Sequence, residues 1–116
     1  MRGAELRPDL AKGIILVEAA CILNRPLTPE EIGLALGPAT LLNVYGDYVE
    51  DHPSFWPGLD ADCEEIADTI NEIGGNALHL RLPEIGVFGN DHMMMMDKNS
   101  AQLADIMMDW IEENVE

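Results

Sequence analysis

The sequence predicts an α/β fold, a three-layer α/β/α arrangement around a parallel sheet, and three observations carry that prediction. Gly13-Ile14-Ile15-Leu16-Val17 and Ala39-Thr40-Leu41-Leu42-Asn43-Val44-Tyr45 are short apolar runs without polar alternation. Such runs fit strands buried on both faces, the usual state in a parallel sheet. Residues 76–82 alternate instead, with Leu78, Leu80 and Leu82 on one face and Ala77, His79 and Arg81 on the other, as a strand near a sheet edge does. Helix-spaced segments separate these runs, so the order is β-α-β-α-β-α and the strands pair in parallel through right-handed crossovers.

Size and charge narrow the possibilities. A chain of 116 residues holds one domain or a portion of one. Residues 1–12 read as a connecting segment and 13–116 as three β-α units. Apolar residues make up 47%, enough for a packed core. Against 22 Asp and Glu stand 6 Lys and Arg, for a net charge of −16. The charge of a polyanion of this kind argues against binding to nucleic acid or to anionic membrane surfaces. No apolar run approaches the ~18 residues of a membrane span. The first eight residues lack the apolar stretch of a secretory leader, which makes the cytoplasm the default compartment. Cys21 and Cys63 form no CxxC motif and read as two buried free thiols.

The elements follow in order. The first strand begins after Lys12 and is stopped by the carboxylate of Glu18. Thr28-Pro29-Glu30-Glu31 is a capping box with proline at the first helical position, and the helix it opens ends near Gly37-Pro38. The second strand ends at Gly46-Asp47, and a loop with two prolines and the pair Phe55-Trp56 runs from Tyr48 to Gly58. From Leu59 on, Cys63, Ile66, Ile70 and Ile73 form one helical stripe closed by Gly74-Gly75. A glycine-rich loop from Pro83 to His92 follows the third strand. The last helix begins near Asn99-Ser100 and carries Leu103, Ile106, Met107, Trp110 and Ile111 on one side.

In parallel sheets, functional groups gather beyond the carboxyl ends of the strands. Here Glu18 follows the first strand, Asp47 with Glu50 and Asp51 follows the second, and His92 lies in the loop after the third. A carboxylate and a histidine delivered to one sheet edge are two parts of a nucleophile–histidine–acid triad. His92-Met93-Met94-Met95-Met96 offers soft ligands of the kind copper takes. Consecutive methionines, however, point around a helix and not at one centre, and His52 and His79 are remote in sequence. No metal and no cofactor is expected.

The stretch Leu41-Leu42-Asn43-Val44-Tyr45-Gly46-Asp47-Tyr48-Val49-Glu50 resembles the seventh strand of an α/β-hydrolase and its exit. Gly86-Val87-Phe88-Gly89-Asn90-Asp91-His92, followed by the methionines and Asp97-Lys98-Asn99, resembles the catalytic-histidine loop of a bacterial esterase group in that superfamily. The resemblance runs from about Gly13 to the C-terminus and implies the last three strands with their helices. It implies serine-dependent hydrolysis of a small-molecule carboxylic ester, with His92 as general base. Glu18 matches the acid that this group places after the sixth strand. The group tends to follow that glutamate with proline, whereas Ala19 and Ala20 follow here. Asp47 stands where most of the superfamily has its acid and is the alternative, with Asp51 behind it.

The superfamily's G-x-S-x-G nucleophile turn does not occur in these residues, nor does its oxyanion-hole loop. Ser54 and Ser100 are the two serines, and neither follows a strand in the strand–turn–helix setting. The chain alone is therefore expected to be inactive. The strand Gly13 to Glu18 would lack a neighbour on one side, so its edge is expected to recruit a second copy or a complementing N-terminal half. A non-enzymatic acidic protein-interaction module is the alternative function.

Overall fold

The computed structural model describes residues 2–21, 28–37 and 39–116. Three strands, β1 (Gly13–Val17), β2 (Thr40–Tyr45) and β3 (Ala77–Arg81), form one parallel sheet in the order β1-β2-β3. Ile14 pairs with Leu41, and Leu42 with Leu78. The predicted α/β class and its parallel sheet are what the structure has.

Among the described residues, four α-helices accompany the sheet: α1 (Arg2–Leu6), α2 (Pro29–Leu36), α3 (Trp56–Glu72) and α4 (Ser100–Asn114). The capping box forms as read. The Thr28 hydroxyl accepts from the Glu31 amide at 3.2 Å, and the Glu31 carboxylate accepts from the Thr28 amide at 2.9 Å. Gly37 caps α2, and Pro38 lies outside the described residues.

Alternation along β2 builds two cores. Leu41 and Tyr45 pack with Ile32, Leu36, Cys63, Ile66 and Ile70 on the side of α2 and α3. Leu42 and Val44 pack with Met94, Leu103 and Trp110 on the side of α4. Asn43 is also fully buried in β2, where its amide donates to the Cys63 carbonyl at 2.9 Å. That bond satisfies a polar group that would otherwise destabilise the interior.

Within the N-terminal segment, Arg2–Leu6 is helical and Ala4 joins the core. Two expectations are corrected. Helix α3 starts at Trp56 and not at Leu59, because Pro57 in its first turn is compatible with helix and supplies no amide that needs a partner. Cys21 and Cys63 are not free thiols but a disulfide, with Cα atoms 5.1 Å apart across a sequence separation of 42. The parallel crossover lays the exit of β1 against the buried stripe of α3, which brings the two sulfurs together.

Candidate active site

The carboxyl ends of the strands open into a cleft of about 360 Å³ whose lining includes Glu18, Asp47, Tyr48, His52, Trp56 and His92. Glu18, Asp47 and His92, the three candidates from the sequence, thus meet in one place. Each arrives by a different device.

Glu18 leaves β1 with φ of +39°, a left-handed backbone that a glutamate rarely adopts. Its amide donates to the Val44 carbonyl at 2.8 Å, which extends the sheet pairing by one residue. The side chain is buried, and Oε1 accepts from the Gly46 amide at 2.7 Å. Burial pushes the Glu18 carboxyl above its ordinary range, while the Gly46 amide and the nearby His92 pull it partly back.

Gly46 is the close-approach point of the site. A Cβ there would stand 2.4 Å from the Asn90 carbonyl oxygen and 2.9 Å from Glu18 Oε1. Only glycine lets the β2 exit, the Glu18 carboxylate and the histidine loop converge so tightly.

Asp47 takes a different part. Its Oδ1 accepts from the Tyr48 amide at 3.2 Å and its Oδ2 from the Gly89 amide at 3.1 Å, while its own amide donates to the Asn90 carbonyl at 2.7 Å. It clamps the histidine loop to the β2 exit. Tyr48 follows with φ of +65° and begins a 3₁₀ turn, Val49–Asp51.

The histidine loop is held from within by Asn90, which is fully buried. Its amide group donates to Asp97 Oδ2 and to Asn99 Oδ1, both at 2.7 Å, and its oxygen accepts from the Asn99 amide group at 3.0 Å. Asp91 accepts from the Met93 amide at 2.8 Å. Met94 is buried at the centre of the methionine turn, while Met93, Met95 and Met96 are exposed. The methionines therefore form one core anchor and an exposed rim, and among the described residues no cluster of His, Cys, Asp and Glu could hold a metal.

His92 is presented to solvent at the mouth of the cleft, its ring 5.4 Å from the Trp56 indole at 31°. The structure gives it no direct hydrogen bond to Glu18; the two share the cleft and interact through space. Trp56 thus walls the site from the first turn of α3, and Phe55, exposed, packs edge-on against it at 5.3 Å. His79 lies elsewhere. Its Nε2 meets Asp60 Oδ1 at 2.7 Å, and Arg81 bonds both Asp60 and Glu64.

Sequence reading left Gly46 without a role, placed Trp56 in a loop and missed the Cys21–Cys63 bridge. Gly46 had a readable signal, a glycine between a buried strand and an aspartate. The bridge had none.

No family model matches this chain. Among solved structures, a novel bacterial esterase superposes with a TM-score of 0.84 at 34% identity, over 97% of this chain and 34% of the esterase. Among curated proteins, the probable secreted lipase phiG of a fungal species (Fungal sp.) is 34% identical over 47 residues, 40% of this chain and 13% of the lipase. The chain spans about a third of the esterase and a smaller part of the lipase. It is related to the ester hydrolases of the α/β-hydrolase superfamily, as its histidine loop indicated.

Proposed function

We propose that this chain is the acid-and-base portion of a serine carboxylic-ester hydrolase, with His92 as general base, Glu18 as the acid and the nucleophile supplied by polypeptide outside these residues. The observation that supports this most is the convergence of Glu18 and His92 on one cleft at the carboxyl ends of parallel strands. In the reaction, His92 removes the proton from the serine hydroxyl as its oxygen attacks the ester carbonyl. It then returns the proton to the departing alcohol, leaving an acyl-enzyme, and it activates the water that releases the acid. Glu18 stabilises the imidazolium that forms in each half, and its desolvated setting strengthens that attraction. Asp47 is the weaker candidate for the acid, since both its oxygens already accept backbone amides.

On this reading the isolated chain has no turnover, because it lacks the hydroxyl and the oxyanion donors. The test is to read the native transcript upstream of the Met1 codon and assay the encoded polypeptide on a p-nitrophenyl ester. The expected result is an in-frame G-x-S-x-G and an activity that falls by roughly 10³–10⁴ in the His92→Asn variant. A stop codon just upstream, or turnover indifferent to His92, overturns the proposal.

The outer edge of β1 supports a related reading. Among the described residues it pairs on one side, in the order β1-β2-β3, and Ile15, Leu16 and Val17 are only partly covered. A complementing N-terminal half would pair there, and without one a second copy of the chain would. Sedimentation at tens of micromolar tests this; a monodisperse monomer overturns it. A chain with a true start at Met1 that dimerises here without esterase activity fits the acidic interaction module.

A further inference from the structure

The Cys21–Cys63 bridge lies three residues beyond Glu18 and ties the chain leaving β1 to the middle of α3. Between the acid and the bridge, the Ala19 carbonyl accepts from the Tyr45 hydroxyl at 2.9 Å. The short segment from Glu18 to Cys21 is thus fastened at both ends: by the sheet through the Glu18 amide and by α3 through the sulfurs. It needs fastening, because Glu18 sits at φ of +39°, which a free chain would leave. Neither core depends on this segment alone. The α4-side core, with Leu42, Val44, Leu103 and Trp110, contains none of its residues.

We propose that the Cys21–Cys63 disulfide is the positioning element for Glu18, and that its reduction frees residues 18–21, and the carboxylate with them, while the sheet stays formed. The catalytic meaning of this rests on Glu18 being the acid, but the structural claim does not. The reductant is a dithiol. Its thiolate attacks one bridge sulfur to give a mixed disulfide, and its second sulfur displaces the protein thiol. Two electrons and two protons pass to the chain, leaving the Cys21 and Cys63 thiols, and the dithiol becomes a cyclic disulfide. Both cysteines are buried, so the dithiol reaches the bridge through a transient local opening, and breaking the bridge makes that opening persistent.

After reduction, the hydrogen bonds among the described residues that hold this disfavoured backbone are Glu18 amide to Val44 and Tyr45 hydroxyl to Ala19, with the Gly46 amide on the Glu18 carboxylate. The Glu18 side chain then leaves the Gly46 amide. Esterase activity built on Glu18 would accordingly depend on the redox state of its surroundings, full where disulfides persist and weak where thiol reductants prevail.

The experiment compares amide hydrogen exchange, residue by residue, in the oxidised chain, in the chain reduced with dithiothreitol, and in the C21A/C63A double variant. The expected result is exchange about tenfold or more faster at Glu18 and Gly46 in both bridge-free forms, with Leu42 and Trp110 keeping their protection. A carbon-13 titration of the Glu18 carboxyl, which faces His92, Asp91 and Asp60, supplies the signature that a merely structural staple would not give. Its midpoint is expected to move from the raised position back towards the ordinary carboxylate range. Unchanged exchange at Glu18 and Gly46 overturns the proposal. So does simultaneous loss of protection at every amide, which makes the bridge a staple for the whole fold. Neither readout uses an ester, so failure here is distinguishable from failure of the esterase reading.

Discussion

At the exit of β1, Glu18 turns through a left-handed backbone, buries its carboxylate and spends one oxygen on the Gly46 amide. At the exit of β2, Asp47 keeps an ordinary backbone, is half-buried, and engages both oxygens with the amides of Tyr48 and Gly89. Two carboxylates at neighbouring strand ends, lining one cleft, are therefore used in opposite ways. Asp47 builds the turn that presents the histidine loop. Glu18 is built into place by others, through a glycine with no room for a side chain, a tyrosine hydroxyl and a disulfide. A residue whose surroundings are arranged to hold it in a strained, desolvated position is the better candidate for chemistry than one whose own bonds shape a loop.

The comparison breaks or sharpens most clearly in the longer, nucleophile-bearing polypeptide. There Glu18→Gln is expected to lower kcat by roughly 10³–10⁴, and Asp47→Asn by less than about tenfold. Steady-state rates on a p-nitrophenyl ester decide it, and a reversed order would make Asp47 the acid. Next in size, Gly46→Ala pushes a methyl group against the Asn90 carbonyl and is expected to destabilise the chain by about 3 kcal/mol in urea unfolding. A loss under ~1 kcal/mol would mean that the histidine loop yields easily.

The smaller effects concern pH and the clamp. The Glu18 carboxyl is raised by burial, so its contribution to stability is complete below the ordinary carboxylate range and is lost as pH rises through its raised value. Glu18→Gln should therefore flatten that part of the pH–stability curve and leave the variant relatively more stable at neutral pH. Glu64, lowered mainly by its hydrogen bond from Arg81, has the opposite sign: its contribution is lost as pH falls. Thermal unfolding across pH 3 to 8 separates the two. Smallest, Asp47→Asn keeps an acceptor oxygen for one of its two amides and is expected to cost only about 0.5–1 kcal/mol.

What could be read from the sequence, and what could not, divides by the range of the forces involved. The strands, the capping box at Thr28 and the stripe of α4 are local patterns, set by side-chain period and by neighbouring residues, and the structure has them where the sequence placed them. Glu18, Asp47 and His92 were legible as strand-end residues, and their shared cleft follows from the parallel topology. The Cys21–Cys63 bridge was not legible, because two buried thiols and a buried disulfide look alike until the crossover has laid β1 against α3. Trp56 was assigned to a loop because prolines flank it, although proline in a first turn is compatible with a helix. Asn90 stood in the recognised loop pattern, but a buried polar side chain in a loop has no period. Its three side-chain bonds emerge only when Asp97 and Asn99 come round to meet it.

The register of the sheet has a consequence for how the chain folds. Ile14 finds Leu41, and Leu42 finds Leu78, so each pairing among the described strands waits for the closure of a long loop and none of them is a hairpin that zips early. Closure entropy is spent before any pairing is gained, which makes such sheets slow to form and leaves β2, apolar along most of its length, unpaired during the wait. A charge of −16 acts in that interval. It keeps half-formed chains apart in solution, at the stage when their exposed strands would otherwise find one another.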